Sequence, residues 1–140
     1  MGWIKSRVDK LVVKHKSHDP FSIASNENIH VIPWNLHDDI QGFYKYIRRN
    51  QYIFLNSNLS ALKQKFVCAH ELGHAVIHPH SNTPFLRTNT LFSIDKIEVE
   101  ANTFAVELLV SDERIKDYQT IREVASAYNI PDEVMHLKKF

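Results

Sequence analysis

The hydrophobic positions at the start of the chain predict two consecutive helices. Apolar side chains recur at helical spacing over residues 3–17, with lysines and arginines between them, which is the pattern of an amphipathic helix. Asp19 followed by Pro20 is typical of a helix cap and first turn, because the carboxylate accepts from free backbone N–H groups and proline needs no such partner. We therefore expect a short second helix that ends near Ala24.

The next segment predicts a small antiparallel sheet. Apolar and polar residues alternate over 29–34, and two more strand-like runs follow at 40–46 and 51–56. The residues Arg48-Arg49-Asn50 separate the last two runs and indicate a hairpin turn.

The following segments are predicted to be mainly helical. Ser60 can cap a helix that reaches about Ile77. A loop over 79–94 leads to another helix, which is capped by Asp95 and reaches about Val110. The elements together predict an α+β fold class in which helix dominates.

Composition is that of a single globular domain. The chain has 140 residues, of which 44% are hydrophobic and 24% are charged, so residues 1–140 are expected to form one domain with a sizeable core. A net charge of +1 produces no strong field toward nucleic acid or acidic lipid, and we expect no direct nucleic-acid partner. No apolar stretch approaches the roughly 18 residues of a membrane span, and a signal-peptide core is missing. We expect a cytoplasmic protein with no membrane partner.

Histidine and cysteine usage narrows the candidate chemistry. A single cysteine excludes an intramolecular disulfide and any zinc site built on two or more thiolates. The chain has 9 histidines, and residues 70–74 read HELGH within a helix that carries an apolar stripe. The competing interpretation is a surface helix with two incidental histidines.

The HELGH segment predicts a metal site with a neighbouring base. His70 and His74 differ by about 40° in azimuth on a helix, so both imidazoles can reach one ion. Zinc suits imidazole nitrogen and lowers the pKa of its bound water. Glu71 points beside the ion rather than at it, and its carboxylate is placed to take a proton from that water.

A catalytic zinc site needs a third protein ligand. His80 stands ten residues after His70, which is the spacing of the third histidine ligand in one known zinc-site pattern. However, His80 follows a proline, and the glycine that this pattern has between the histidines is absent. A carboxylate from the helix that starts at Asp95 is the other solution.

Two glutamates of that helix compete for the role, because Glu98 and Glu100 point about 200° apart. The apolar face is formed by Ile97, Ala101, Phe104 and Leu108. Glu100 borders this face, where a buried carboxylate requires a cation. We predict Glu100 as the third ligand and Glu98 as solvated, with an ordinary surface charge at Glu100 as the competing interpretation.

Two segments together resemble a known family. HELGHAVIH at 70–78 and EVEANTFAVELLV at 98–110 are similar to the paired motifs of the ImmA/IrrE zinc metallopeptidases. The order of helix, small sheet and active-site helices also resembles that family. The resemblance covers about residues 20–130.

The resemblance implies a zincin-like helical core with a gluzincin-like site. His70, His74 and Glu100 would be the zinc ligands, and Glu71 would be the general base. One departure is Val110-Ser111, where the family commonly has Met-Pro. This departure affects the expected end of the helix and leaves the site residues intact.

The implied function is a zinc-dependent endopeptidase that cleaves a DNA-binding repressor of the helix-turn-helix type, from a phage or other mobile element. The alternative is a non-proteolytic module that contains zinc and binds a repressor or a toxin. Glu71 disfavours this alternative, because a purely structural metal site needs no base.

Three further segments have open interpretations. His78 is expected to be a structural residue at the helix end, with contact to substrate or to a developing oxyanion as the alternative. The strand at 40–46 or at 51–56 is a candidate to bind substrate as an added strand, with packing in the core as the competing interpretation. The C-terminal residues 113–140 resemble a helix-turn-helix in their order, but Asp132 and Glu133 would repel phosphates. We expect them to pack on the domain or to face the repressor.

Overall fold

The computed structural model describes residues 2–83, 86–87, 95–110, 118, 120–128 and 130–137. Its fold class is α+β, as predicted. The helices are α1 (Gly2–His15), α2 (Pro20–Asn26), α3 (Ala61–Ile77), α4 (Lys96–Leu109), α5 (Ile121–Tyr128) and α6 (Asp132–Met135). The strands are β1 (Ile29–Trp34), β2 (Ile40–Ile47), β3 (Asn50–Asn56) and β4 (Leu86–Arg87).

The predicted helix caps are confirmed at two of the helix starts. The Asp19 carboxylate accepts a hydrogen bond from the Phe21 N–H at 3.0 Å, and Pro20 occupies the first position of α2. The Ser60 hydroxyl accepts one from the Lys63 N–H at 3.2 Å at the start of α3. Each bond satisfies a backbone donor that the helix itself leaves free.

The sheet is mixed, which differs from the predicted antiparallel sheet in one pair of strands. The strand order is β1-β3-β2-β4, in which β2 pairs antiparallel with β3 and β1 pairs parallel with β3. Two reversals of direction, between β1 and β2 and at the hairpin, leave β3 running the same way as β1. β4 pairs with the outer side of β2, and β1 pairs with the outer side of β3.

The position of β3 corrects one expectation about substrate. Residues 51–56 lie in an interior strand with partners on both sides, so this strand offers no edge to a peptide. The outer edge of β2 is also occupied along most of its length. Beyond the β4 pairing, Tyr44 O accepts from Thr83 N–H at 3.4 Å and Tyr46 N–H donates to Asn82 Oδ1 at 2.7 Å. The predicted loop over 79–94 therefore begins along this edge, and most of its later part lies outside the described residues.

Helix α3 lies between the sheet and α4 and forms the centre of the core. Its sheet side packs against buried residues of β2 and β3, such as Tyr44 and Ile53. On its other side, Gly73 lets the backbone of α4 approach closely. A methyl group at Gly73 would lie 3.2 Å from the Cα and from the carbonyl oxygen of Ala101.

The C-terminal end of α3 is tied to the sheet and to α1 by polar side chains. Gln51 Nε2 donates to the Ala75 carbonyl at 2.8 Å and to the Tyr44 hydroxyl at 2.9 Å. The Arg7 guanidinium donates to the Val76 carbonyl at 3.2 Å. These bonds satisfy carbonyls that have no partner within the last helical turn and hold the helix in place.

The end of the chain is helical on either side of 129–131, as predicted. Helix α6 packs against α4, and Val134 and Met135 are buried. Residues 113–117, 119, 129 and 138–140 of the predicted C-terminal element lie outside the described residues. Within the described part of the chain, the helices are too short or too polar to cross a bilayer.

Candidate metal centre

One turn of α3 carries His70, Glu71 and His74 into the interior. The three side chains belong to residues that are 0%, 1% and 0% exposed. A ligand-capable atom of each lies within 4.8 Å of those of the other two. The predicted convergence of both imidazoles with the neighbouring carboxylate is therefore observed.

Glu98 of α4 meets both histidines. One carboxylate oxygen lies 3.1 Å from His70 Nε2 and the other lies 3.0 Å from His74 Nε2. The two oxygens of the Glu98 carboxylate therefore each face one of the two Nε2 atoms. The residue is only 7% exposed.

The prediction that Glu98 is solvated and that Glu100 faces the histidine pair is therefore wrong. Glu100 is also only 7% exposed, so it is no surface charge, but its carboxylate lies 2.9 Å from His78 Nε2. It contacts the neighbouring histidine rather than the two predicted ligands.

The physical reason is that α4 is buried on nearly all sides. Helices α1, α3 and α6 all pack against it, so an apolar stripe does not mark a single inward face. The face used for the prediction also left out two apolar residues, Ala105 and Leu109, which flank Glu98 at about 20° on a helical projection. Including them moves the centre of the apolar face toward Glu98.

Asn102 orients the first histidine. Its side-chain oxygen lies 2.7 Å from His70 Nδ1, and Asn102 is 2% exposed. An amide oxygen accepts, so His70 donates through Nδ1–H and keeps its Nε2 turned toward Glu98. Asn102 lies within the segment 98–110, but this contact was not predicted from the sequence. Its signal was a polar side chain four residues after Glu98, and therefore on the same side of the helix.

His78 is engaged at both ring nitrogens. Its Nδ1 lies 3.1 Å from His74 Nδ1, and its Nε2 lies 2.9 Å from Glu100. These contacts place it beside the candidate metal centre and support neither of its predicted alternatives, contact with substrate or with an oxyanion. His80 is exposed and packs edge-on against Tyr46, with 4.7 Å between ring centroids. It stands apart from the histidine pair.

Glu71 is a buried carboxylate without hydrogen bonds. Among the described residues, neither of its oxygens has a hydrogen-bond partner. Burial raises the pKa of the Glu71 carboxyl to about 8, against the lowering effect of His70, and the nearby Glu98 charge raises it further. A carboxyl with a pKa this close to neutrality suits a group that must both take and return a proton.

The pKa values of Glu98, His74 and His70 are shifted in different directions. Burial alone would raise the pKa of Glu98, but its contacts with His70 and His74 hold that pKa well below the usual range. Burial lowers the pKa of His74 to about 4, so its imidazole is neutral near pH 7. Burial is the largest single influence on His70 and lowers its pKa, but the Glu98 hydrogen bond, the charges of Glu71 and Glu98 and the Asn102 hydrogen bond together outweigh it, so the net shift is upward.

The donor set fits a bound cation. His74 Nε2 lies 3.0 Å from Glu98, yet it has no hydrogen bond of acceptable alignment within the described structure. A buried imidazole nitrogen without a hydrogen bond is available to a metal ion, whereas His70 Nε2 is hydrogen-bonded to the other Glu98 oxygen at 3.1 Å. Two imidazole nitrogens and one carboxylate are a ligand set found at catalytic zinc sites, whose fourth position is open.

An HExxH helix beside a second helix that supplies a carboxylate is the arrangement of a metallopeptidase site. Comparison with known sequences agrees with this class. Residues 24–138 match the model of the Peptidase_M78 family, described as IrrE N-terminal-like domain. The chain belongs to this family of metallopeptidases, as the resemblance of its two motifs to ImmA/IrrE proteins predicted.

Two relatives extend the comparison along the whole chain. "Uncharacterized immunity region protein 2" of Bacillus phage phi105 is 53% identical over 139 residues, which cover 96% of this chain and 88% of the phage protein. "Metallopeptidase ImmA" of Bacillus subtilis (strain 168) is 25% identical over 141 residues, which cover 96% of this chain and 83% of that protein.

Proposed function

We propose that this protein is a zinc-dependent endopeptidase that cleaves a DNA-binding repressor of a phage or other mobile element, in the cytoplasm. His70, His74 and Glu98 would hold the metal, and Glu71 would act as general base. Glu98 here replaces Glu100 of the sequence-based prediction. The observation that carries the proposal is the position of the Glu98 carboxylate, which spans the two Nε2 atoms at 3.1 and 3.0 Å.

Each side chain has a distinct task in the proposed reaction. A zinc ion in this site would supply a Lewis acid for the scissile carbonyl and would lower the pKa of water. Glu71 takes a proton from the attacking water, whose oxygen forms a bond to the carbonyl carbon. Glu71 then returns the proton to the amide nitrogen as the C–N bond breaks, which releases an acid and an amine. Asn102 accepts from His70 Nδ1–H, which would leave Nε2, the nitrogen that faces Glu98, to bind the metal.

Two observations support the proposed substrate. The motifs at 70–78 and 98–110 resemble those of proteins that cut helix-turn-helix repressors. The similarity to an immunity region protein of a phage supports a role in the same kind of genetic element. The candidate substrate is therefore a DNA-binding repressor of the same genetic element.

The test compares the wild type with Glu71→Gln on that repressor. Glutamine has nearly the same shape as glutamate but cannot take up the proton, so the rate of cleavage should fall by about 10²–10⁴. Zinc content should stay at about one ion per chain, because no ligand is removed. Metal analysis and a gel assay of repressor cleavage in vitro measure the two quantities on the same preparations.

Two results would contradict the proposal. Undiminished cleavage by a zinc-loaded Glu71→Gln protein would refute the role of Glu71. Inactivation of the repressor by wild type and variant alike, without any cut, would favour the non-proteolytic binding module instead.

A further inference from the structure

His78 and Glu100 extend the candidate metal centre by one layer on the side of His74. The Nδ1 atoms of His74 and His78 are 3.1 Å apart, and His78 Nε2 lies 2.9 Å from a Glu100 oxygen. The side chains of His78 and Glu100 are only 10% and 9% exposed. A histidine with a partner on each ring nitrogen and little contact with water is held in one orientation.

The direction of these hydrogen bonds follows from the chemistry of the groups. An ionised carboxylate accepts and does not donate, so the proton between His78 and Glu100 sits on His78 Nε2. In a neutral imidazole the other nitrogen, Nδ1, is then an acceptor. His74 must therefore donate through its own Nδ1–H, which leaves its Nε2 with a free lone pair on the side of Glu98.

His74 and His70 are held in the same tautomer, but by different hydrogen bonds. Asn102 accepts directly from His70 Nδ1–H at 2.7 Å, whereas His74 is held through an intervening imidazole that ends on a carboxylate. Both Nε2 atoms face Glu98, at 3.1 and 3.0 Å. A metal ligand needs this tautomer, because a protonated Nε2 has no lone pair to offer.

We propose that His78 and Glu100 are positioning residues, which hold His74 as the Nδ1–H tautomer with its Nε2 ready to bind the metal. This inference rests on the proposed function, since it requires a metal ion at His74. The pair binds neither the metal nor the substrate and acts only through His74.

Zinc affinity is the first measurement. His78→Phe keeps a ring of similar volume and removes both nitrogens, so the Kd for zinc, measured by competition with a chelator, should rise about 10–100-fold. Glu100→Gln retains an acceptor oxygen of the same reach and should lose less. The double variant should bind zinc no more weakly than His78→Phe alone, because Glu100 acts only through His78. His80→Phe is the matched control and should bind zinc like the wild type.

A spectroscopic measurement separates positioning from packing. In zinc-loaded protein labelled with ¹⁵N-histidine, the wild type should show a proton on His74 Nδ1 that exchanges slowly with water. The signal should persist in Glu100→Gln and His80→Phe and disappear, or exchange rapidly, in His78→Phe. Loss of packing alone would lower the unfolding midpoint and leave this proton in place.

The outcomes distinguish this inference from the proposed function. Zinc binding and repressor cleavage by the wild type, together with an unchanged Kd and an unchanged His74 Nδ1–H signal in His78→Phe, would overturn the positioning role alone. A double variant that binds zinc much more weakly than His78→Phe would also overturn it, because Glu100 would then act independently. A wild type that binds no zinc would overturn both.

Discussion

Replacement of Gly73 by alanine tests how tightly the two helices of the metal centre are packed. A methyl group at this position would lie 3.1 Å from Phe104 Cβ and 3.2 Å from both the Cα and the carbonyl oxygen of Ala101. These atoms are backbone, or are attached directly to it, so no change of rotamer can relieve the contact. Helix α4 would have to move away from α3 by a few tenths of an ångström.

Two opposing contributions determine the free energy of unfolding of Gly73→Ala. Alanine is favoured over glycine by about 1 kcal/mol in a helix interior, whereas overpacking a filled interface costs about 1–3 kcal/mol. The expected net result is a loss of about 0–2 kcal/mol. Because Glu98 and Asn102 lie within three residues of Ala101, the same shift should also weaken zinc binding.

The other two glycines provide a graded comparison. A methyl group at Gly42 would lie 2.6 Å from the Phe54 carbonyl oxygen and 2.9 Å from Val67 Cγ1, so Gly42→Ala should cost about 3 kcal/mol or more. A methyl group at Gly2 has no described heavy atom within 4 Å, so Gly2→Ala should change stability by less than about 0.5 kcal/mol.

Urea unfolding followed by far-UV circular dichroism measures the three free energies, with the slope m as a check that the unfolded state is unchanged. The loss of stability should increase from Gly2→Ala to Gly73→Ala and be largest for Gly42→Ala. A Gly73→Ala protein that gains the full helix-propensity term of about 1 kcal/mol, and keeps wild-type zinc affinity, would show that the interface has room. That result would refute the close approach as the reason for glycine.

Two further predictions concern the third ligand and the cysteine. Glu98→Ala should weaken zinc binding far more than Glu100→Gln does, because it removes a proposed metal ligand. Equal zinc Kd values for Glu98→Ala and wild type would exclude Glu98 from the site. Cys68 is 0% exposed and burial raises the pKa of its thiol well above the usual range, so a maleimide should label the native protein at least ~10²-fold more slowly than the urea-unfolded chain. Rapid labelling of the native protein would contradict this burial.

Local features of the fold could be predicted from the sequence because their causes are local. The strand at 29–34 has its predicted bounds, and the caps at Asp19 and Ser60 lie where predicted. Alternation, capping and helical periodicity depend on neighbours within about four residues. The HELGH pair belongs to the same class, since one helical turn alone brings His70 and His74 together.

Pairings between distant elements were decided by the tertiary structure. The alternation in β1 is the same whether it joins β3 in parallel or another strand antiparallel, and in the structure β1 joins β3 in parallel while β4 lies beside β2. No local pattern carries this information.

The third candidate ligand also separates what the sequence determines from what the tertiary structure decides. The sequence by itself determined the histidine pair and the adjacent Glu71, and it predicted a carboxylate from a second helix. It could not choose between Glu98 and Glu100, because α4 is covered by other helices on several sides and both glutamates are 7% exposed. Their different partners are selected by how α4 lies against α3: Glu98 reaches the Nε2 atoms of His70 and His74, and Glu100 reaches His78. The packing of the two helices, which depends on contacts along their whole length, therefore decides which carboxylate completes the candidate metal site.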